Sequence, residues 1–316
     1  MRTRQPTSPG FTIGVAAAYG LGEDWHAQAI ARAAERIGVV RVIAPEDLAV
    51  TTAVDGRPRV MVGALDARAL DVLLMARALG DRGDADVQLT MYRAVEDAGV
   101  PLVNSVAPLL DAIDKLHTSL TLVARGIATP PFAVAQSRAD AVRALVALGE
   151  VVGKPIFGSL GVGVERLSAR SAADRARVAT LVDERGALYL QAYVRARREV
   201  RAIVVGQEVV AAVARRSRPD DFRANAHQGG EARATTPTAA EAEVAIAATR
   251  ALGLVYAGID LVVGEDTERP LVLEVNGAPS FRVLGDVTGR DVAAAIVGHA
   301  VSRTRNERRR GQDHGG

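Results

Sequence analysis

The sequence predicts a mixed chain, with a parallel α/β layer first and an α+β part built on antiparallel pairing after it. Three observations carry this. Short apolar runs alternate with amphipathic stretches over the first hundred residues, the rhythm of βαβ units. Pro130-Pro131 and the glycines at 158, 161 and 163 then break that rhythm. Further on, Glu199–Val205 and Val209–Val213 flank Gly206-Gln207-Glu208, the pattern of a β-hairpin.

Taken in order, Phe11–Ala18 is the first strand and His26–Ile37 the first helix. Val39–Ile43, Arg59–Val62, Asp71–Leu74 and Val100–Val103 read as further strands of one mainly parallel sheet. Asp86–Ala98 is a helix that Gly99 closes, and Asp111–Arg125 a helix that stops at Gly126. Strand Phe132–Ala135, helix Arg138–Leu148 and strand Val151–Phe157 follow. Val164–Leu167 and Ala187–Tyr193 are strands on either side of the helix Ala172–Glu184. Pro237-Thr238 opens the helix Ala239–Leu252, with Thr238 as N-cap. Leu254–Val263 and Leu271–Val275 are strands, and Asp291–Val301 is a closing helix.

Composition narrows the chemistry. A length of 316 residues predicts two or three domains. The absence of cysteine excludes disulfides, thiolate metal sites and cysteine nucleophiles. The net charge of +2 sits largely in Arg303, Arg305, Arg308, Arg309 and Arg310, against Glu307 alone. With aromatics at 3%, few side chains could stack on single-stranded bases, so this stretch reads as a frayed terminus and nucleic acid is not an expected partner. Met1–Gly10 is polar with no apolar core, and no run is long and apolar enough to span a bilayer. The expected compartment is the cytoplasm, with no membrane partner.

The most informative segment is Leu271-Val272-Leu273-Glu274-Val275-Asn276, taken with Asp260 upstream. On a strand Glu274 and Asn276 point the same way. A neighbouring strand carrying Asp260 could bring a third oxygen to the same point. Hard oxygen donors suit Mg2+ and, through it, nucleotide phosphates.

Lys154 lies in the apolar strand Val151-Val152-Gly153-Lys154-Pro155, where it either reaches solvent at the strand end or meets an anion. The next segment, Gly158-Ser159-Leu160-Gly161-Val162-Gly163, lets backbone N–H groups approach a ligand and favours the anion. Lysine precedes the glycines here, so this is not a Walker A loop. The run Tyr19-Gly20-Leu21-Gly22 lacks the spacing and the acidic partner of a dinucleotide site. Lys115 opens a helix after Asp114, and Arg201 and Arg215 lie on the paired strands, where both could face one cleft. The loop Asp221–Gly230 carries Arg223, Asn225 and His227 with a glycine pair, and could lie over a nucleotide.

In this order the motifs resemble the ATP-grasp superfamily. Asp114-Lys115, Lys154-Pro155, the glycine loop, Asp221-Phe222-Arg223-Ala224-Asn225 with Gly229-Gly230, Asp260, and Glu274-Val275-Asn276 carry the resemblance over roughly residues 100–300. Within it the chain is most similar to the ribosomal protein S6 modification (RimK) type of α-L-glutamate ligase. Asp84–Leu89 and Pro279-Ser280-Phe281-Arg282 look most like the methanopterin-related branch.

The resemblance implies an ATP-grasp fold with four parts: a pre-ATP-grasp α/β domain (1–105), a central subdomain with the glycine loop (106–190), a C-terminal subdomain with the metal site (191–302) and a basic flexible tail (303–316). Lys115 and Lys154 would be nucleotide-phosphate lysines, and Gly158, Ser159, Gly161 and Gly163 the lid over the phosphates. Gln191, Ala192, Tyr193 and Val194 would form the adenine hinge, Glu199 a ribose-binding carboxylate, and Arg223 and Asn225 the nucleotide loop. Asp260, Glu274 and Asn276 would hold Mg2+, replaceable by Mn2+, as two ions. Arg201 and Arg215 would stand near the reacting phosphate and acyl groups.

The chain departs from the family pattern at four places. Ala192 and Ala214 replace common Glu and Lys, Glu199 replaces Asp, and Ser280 replaces a common Gly. The implied activity is an ATP-dependent carboxylate–amine ligase working through an acyl phosphate. Its expected partners are ATP, an amino acid (glutamate first) and a carboxylate acceptor: a pterin-type cofactor, a small molecule or a protein C-terminus. A homo-oligomer is also implied. A phosphotransferase and a non-catalytic ATP-binding module remain the alternatives.

Overall fold

The strands β1 (Thr12–Ala16), β2 (Val39–Ile43), β3 (Leu48–Thr52), β4 (Pro58–Val62), β5 (Leu65–Asp66), β6 (Val72–Met75) and β7 (Leu102–Val103), with helices α1 (Trp25–Glu35) and α2 (Ala85–Asp97), form the first part of the chain. The structure is a computed structural model that describes residues 10–17, 24–52, 56–76, 79–80, 82–158, 162–216 and 231–313. Strands β2-β1-β6-β7 make the expected parallel sheet. The run read as Arg59–Val62 does not join it. As β4 it pairs antiparallel with β3 and β5 in a separate three-stranded sheet. A parallel neighbour needs a crossover of a dozen or more residues, and only five separate β3 from β4. Gly99, at φ +89°, follows the α2 C-cap Ala98 as expected of a closing glycine. Asp84 caps α2, and the buried Gln88 accepts from Gly80 N at 2.9 Å, so this segment has a structural duty of its own.

The second part begins with α3 (Val106–Ile113) and α4 (Lys115–Ala124). The sequence suggested one helix here. The break falls at Asp114, which is extended and whose carboxylate accepts from Leu116 N (2.8 Å) and His117 N (3.0 Å) as an N-cap. This places Lys115 in the first turn of α4. Strands β8 (Phe132–Ala135), β9 (Glu150–Lys154), β10 (Glu165–Ser168) and β11 (Leu188–Ala192), with helices α5 (Arg138–Leu148) and α6 (Ala172–Arg185), form a four-stranded antiparallel sheet in the order β10-β9-β11-β8. Leu188, Leu190 and Val151 pack with Leu145, Val178 and Leu181 of the helices in a common core.

Strands β12 (Ala196–Val205), β13 (Glu208–Arg216), β14 (Glu231–Ala234), β15 (Tyr256–Gly264) and β16 (Leu271–Asn276) form a five-stranded antiparallel sheet, β14-β13-β12-β15-β16, with α7 (Ala239–Ala251) packed on it. Val200, Ala202, Ile259, Leu261, Val272 and Val275 turn to that core, which leaves the intervening side chains for the opposite face.

Thr238 caps α7 as expected, and Glu241 completes a capping box. Glu241 is buried and also takes Arg198 Nε at 2.8 Å. Glu241→Ala removes both partners at once. A loss of about 2–3 kcal/mol is expected in urea unfolding, with nucleotide affinity unchanged because Glu241 lies outside the site.

The chain ends its described course in α8 (Arg282–Thr288) and α9 (Val292–Asp313). Residues 303–313, read as a basic tail, continue α9 as helix. Its buried face runs through Ile296, Val297, Ala300, Val301 and Thr304 at helical spacing, and Arg308 pairs with Asp71.

By contact the chain divides into two compact units: Met1–Ala107 with Ser280–Arg282 and Asp291–Gly316, and Pro108–Pro279 with Val283–Arg290. In the first unit the departure Ser280 meets His26, with Oγ to Nε2 at 3.1 Å, and the same Nε2 accepts from Phe281 N at 3.3 Å. Among the described residues no helix is long and apolar enough to cross a membrane.

Candidate active site

The second unit carries a cleft of about 1050 Å3, counting its open mouth. Lys115, Lys154, Gly158, Glu199 and Arg215 line it. So do Gln191, Ala192, Tyr193, Val194, Asp260 and Glu274. Gly163, at φ +69°, lies beside Pro155 and Arg185 instead. Ser159, Gly161, Arg223 and Asn225, with the rest of the Asp221–Gly230 loop and Tyr19–Gly22, lie outside the described residues.

Register explains how distant residues meet. Asp260 on β15 stands directly opposite Glu274 on β16, and Gly258 opposite Asn276. Arg201 on β12 stands opposite Asp260, and Glu199 opposite Arg215 on β13. These side chains alternate with core residues, so they share the face away from α7. Glu274 and Asn276 are on one face, as the alternation of β16 predicts. Leu273 joins Glu274 in lining the cleft because a bulge between Asp260 and Leu261 sets two residues of β16 against one of β15. No sequence signature announces that bulge.

Asp260 is held by two arginines. Arg201 Nη1 donates to its Oδ2 at 2.7 Å and Arg215 Nη1 to its Oδ1 at 3.0 Å. With its amide turned so that the oxygen faces the guanidinium, Asn276 accepts from Arg201 Nη1 at 2.7 Å and Nη2 at 3.3 Å. Gly258 makes the space: a Cβ there would lie 2.7 Å from Arg201 Nη2 and 2.7 Å from Pro279 Cβ. Two carboxylates and one amide oxygen form a hard-oxygen set that fits Mg2+. Its remaining ligands would come from water and phosphate.

Lys154 Nζ donates to Gln191 Oε1 at 2.7 Å, and Lys115 Nζ to Gly158 O at 2.8 Å. Burial depresses the pKa of both lysines below the ordinary lysine value, while Glu274 opposes that shift. Three cations, Lys115, Lys154 and Arg215, thus face the three carboxylates Glu199, Asp260 and Glu274 in the cleft. One carboxylate, Glu199, is pushed up to about 7, chiefly by burial and next by Asp260, with Arg215 opposing. Near neutral pH it carries only part of its charge, so the balance favours a polyanion.

The Glu199 shift gives a signed pH dependence. Its pKa rises from 4.5 to about 7 on folding, so stability falls as pH rises through that window and the full cost is present above it. For nucleotide- and metal-free protein, Glu199→Gln should melt like wild type near pH 4.5 and higher than wild type at pH 8. The gain should be about 1–3 kcal/mol. Thermal melts across that range measure it.

Part of the backbone of the segment expected as the hinge, Gln191–Val194, is already paired. The N–H of Ala192 already donates to Pro131 O at 2.7 Å and that of Tyr193 to Glu150 O at 2.8 Å. Arg166 covers the Tyr193 ring at 3.8 Å. A ligand ring edge is left the other backbone groups of this segment, and an apolar slot of Val152, Val164, Val194, Val262 and Leu273 stands around it.

A family model for the RimK-like ATP-grasp domain matches residues 112–299. A probable α-L-glutamate ligase of Pectobacterium carotovorum subsp. carotovorum (strain PC1) is 36% identical over 224 residues, 66% of this chain and 71% of the relative. The ribosomal protein bS6–L-glutamate ligase of Escherichia fergusonii is 36% identical over 205 residues, 62% of this chain and 66% of the relative. The solved ATP-grasp ligase PsnB, complexed with minimal precursor, Mg and ADP, superposes with a TM-score of 0.72 over 93% of this chain and 98% of that one, at 17% identity. This last likeness speaks for the fold alone. From the family match and these relatives, the chain belongs to the RimK-like ATP-grasp family of carbon–nitrogen ligases.

Proposed function

We propose that this enzyme activates a carboxylate with ATP and joins it to the amine of an amino acid, glutamate first among candidates. The observation that supports the reading is Asp260 standing opposite Glu274, two residues before Asn276 on β16, in a cleft that Lys154 and Lys115 also line. Names of relatives supply the glutamate. The acceptor proposed is a carboxylate on a pterin-type cofactor, a small molecule or a protein C-terminus.

In this reading the purine occupies the slot of Val152, Val164, Val194, Val262 and Leu273, and Glu199 faces the ribose. Lys115 and Lys154 take the phosphates, where their fixed charge is already in place before the reaction. Asp260, Glu274 and Asn276 would hold Mg2+, proposed as two ions, which would offset the charge of the phosphates. A free carboxylate is a poor acyl donor because hydroxide is a bad leaving group. Attack of its oxygen on the γ-phosphorus breaks the bond to ADP and gives an acyl phosphate. The amine then attacks the acyl carbon, phosphate leaves, and the amine proton passes to a base. Arg201 and Arg215 are proposed to face the charge that develops on the transferring group and the acyl oxygen. They already hold Asp260, so they also fix the position of one metal ligand.

The test is a screen for ADP release with amino acids and candidate carboxylates, followed by mass spectrometry of the products. ADP, free phosphate and a new amide support the ligase. A stable phosphorylated acceptor would make the chain a phosphotransferase, and tight ATP binding without turnover on any acceptor a binding module.

A further inference from the structure

From the cleft residues Lys154 and Gln191 a hydrogen-bonded chain runs to Tyr189 and Ser119, which the reaction scheme above does not use. Tyr189 and Gln191 alternate on β11 with the core residues Leu188 and Leu190, so both turn to the nucleotide face. Both are almost wholly buried, at 1% and 2% exposure. Lys154 stands directly opposite Tyr189 in the β9–β11 register and reaches diagonally to Gln191. Lys154 Nζ donates to Gln191 Oε1 at 2.7 Å, and Gln191 Nε2 donates to the Tyr189 hydroxyl at 3.4 Å. The hydroxyl meets Ser119 Oγ at 2.7 Å.

An amide has one acceptor end and one donor end. If Gln191 turned over, it would aim N–H groups at a lysine and leave Nζ without this acceptor. The Tyr189 oxygen, taking the Nε2 proton, selects the orientation that suits Lys154. Ser119 lies four residues after Lys115 on α4, one turn along the same helix face. The phenol therefore joins the helix that carries Lys115 to the strands that carry Lys154. Its ring is fixed by Phe132, stacked at 5.8 Å with planes 12° apart. Burial pushes the phenol up to about 12, so it stays a neutral hydrogen-bonding group at any working pH.

We propose that Tyr189 is a positioning residue for Lys154, acting through the orientation of the Gln191 amide. This rests on reading Lys154 as a nucleotide-phosphate lysine. Tyr189→Phe keeps the ring and its stack while deleting the oxygen. The expected result is about a three- to tenfold rise in the Kd of MgADP by calorimetry, with the melting temperature lowered by a few degrees as the buried hydrogen bonds are lost. The control is the Gln191→Glu background, where both terminal atoms are acceptors and no orientation needs selecting. There Tyr189→Phe should leave the Kd unchanged.

An unchanged Kd in the Gln191 background would overturn the proposal. So would a loss of the same size in the Gln191→Glu background, since the tyrosine would then act by packing alone. Lys154→Gln separates the two levels. If it leaves MgADP binding intact, the reading of Lys154 fails and this proposal with it. If it weakens binding while Tyr189→Phe does not, only the role of Tyr189 falls.

Discussion

Glu274→Ala should abolish turnover, by about 1,000-fold or more, and leave the fold intact. The fold should survive because the β16 residues that pack are Val272 and Val275, both fully buried, while Glu274 turns to the cleft. The activity should not survive for two separable reasons. One of the three oxygen donors proposed for Mg2+ is lost. Glu274 also raises the pKa of both Lys154 and Lys115 against the effect of burial, so its removal lowers both lysines further. ADP release in the presence of saturating Mg2+, read beside circular dichroism and a urea midpoint, checks both parts. Full activity in this variant would sink the metal assignment.

Lys154→Met should weaken MgADP by about 2–5 kcal/mol, roughly 30-fold or more. Its effect on nucleotide-free stability should depend on pH in a definite direction. Burial holds the Lys154 pKa below its ordinary 10.5, so the folded protein bears the full cost of the charged form below the depressed pKa. That cost is relieved as pH rises from there toward 10.5. The melting temperature of the variant relative to wild type should therefore be highest at neutral pH and decline as pH rises toward 10. A difference that stayed flat would mean the lysine is not desolvated in the free protein.

Much of this site was readable in one dimension because its chemistry sits on strands. Period-two alternation puts Glu274 with Asn276, and Tyr189 with Gln191, before any pairing is known. Lys154 was conspicuous because a cation in an apolar strand needs a reason. Asp114 gave Lys115 its place in a first turn, although the break between α3 and α4 was not foreseen. The cap replaces a helical residue by an extended one without any proline or glycine to announce it. The parallel expectation for Arg59–Val62 failed because alternation says nothing of a strand's partner. Chain length between neighbours decides that, and the loop after β3 is too short for a crossover. Residues 303–313 continue α9 beyond the buried stripe Ile296, Val297, Ala300, Val301 and Thr304, which anchors the helix ahead of them.

The remaining features depend on contacts between residues far apart in sequence. The bulge that turns Leu273 into the cleft is a property of two strands, not of one. The N–H groups of Ala192 and Tyr193 are committed to carbonyls on Pro131 and Glu150, a pairing that sequence spacing does not reveal. The Ser119–Tyr189–Gln191–Lys154 chain joins one helix and two strands, and no spacing along the chain reveals it.

By itself the sequence determined which residue types could hold phosphate and a divalent cation, and in what order they occur. That follows from side-chain chemistry and local periodicity. Only the tertiary structure decided which of them meet. Arg201 and Arg215 converge on Asp260, and Asp260 stands opposite Glu274, because antiparallel register brings strands from distant parts of the chain to a separation of about 5 Å. The depressed lysines and the raised Glu199 exist for the same reason. Their shifts come from burial and from charges across the sheet, and neither acts until the sheet has formed.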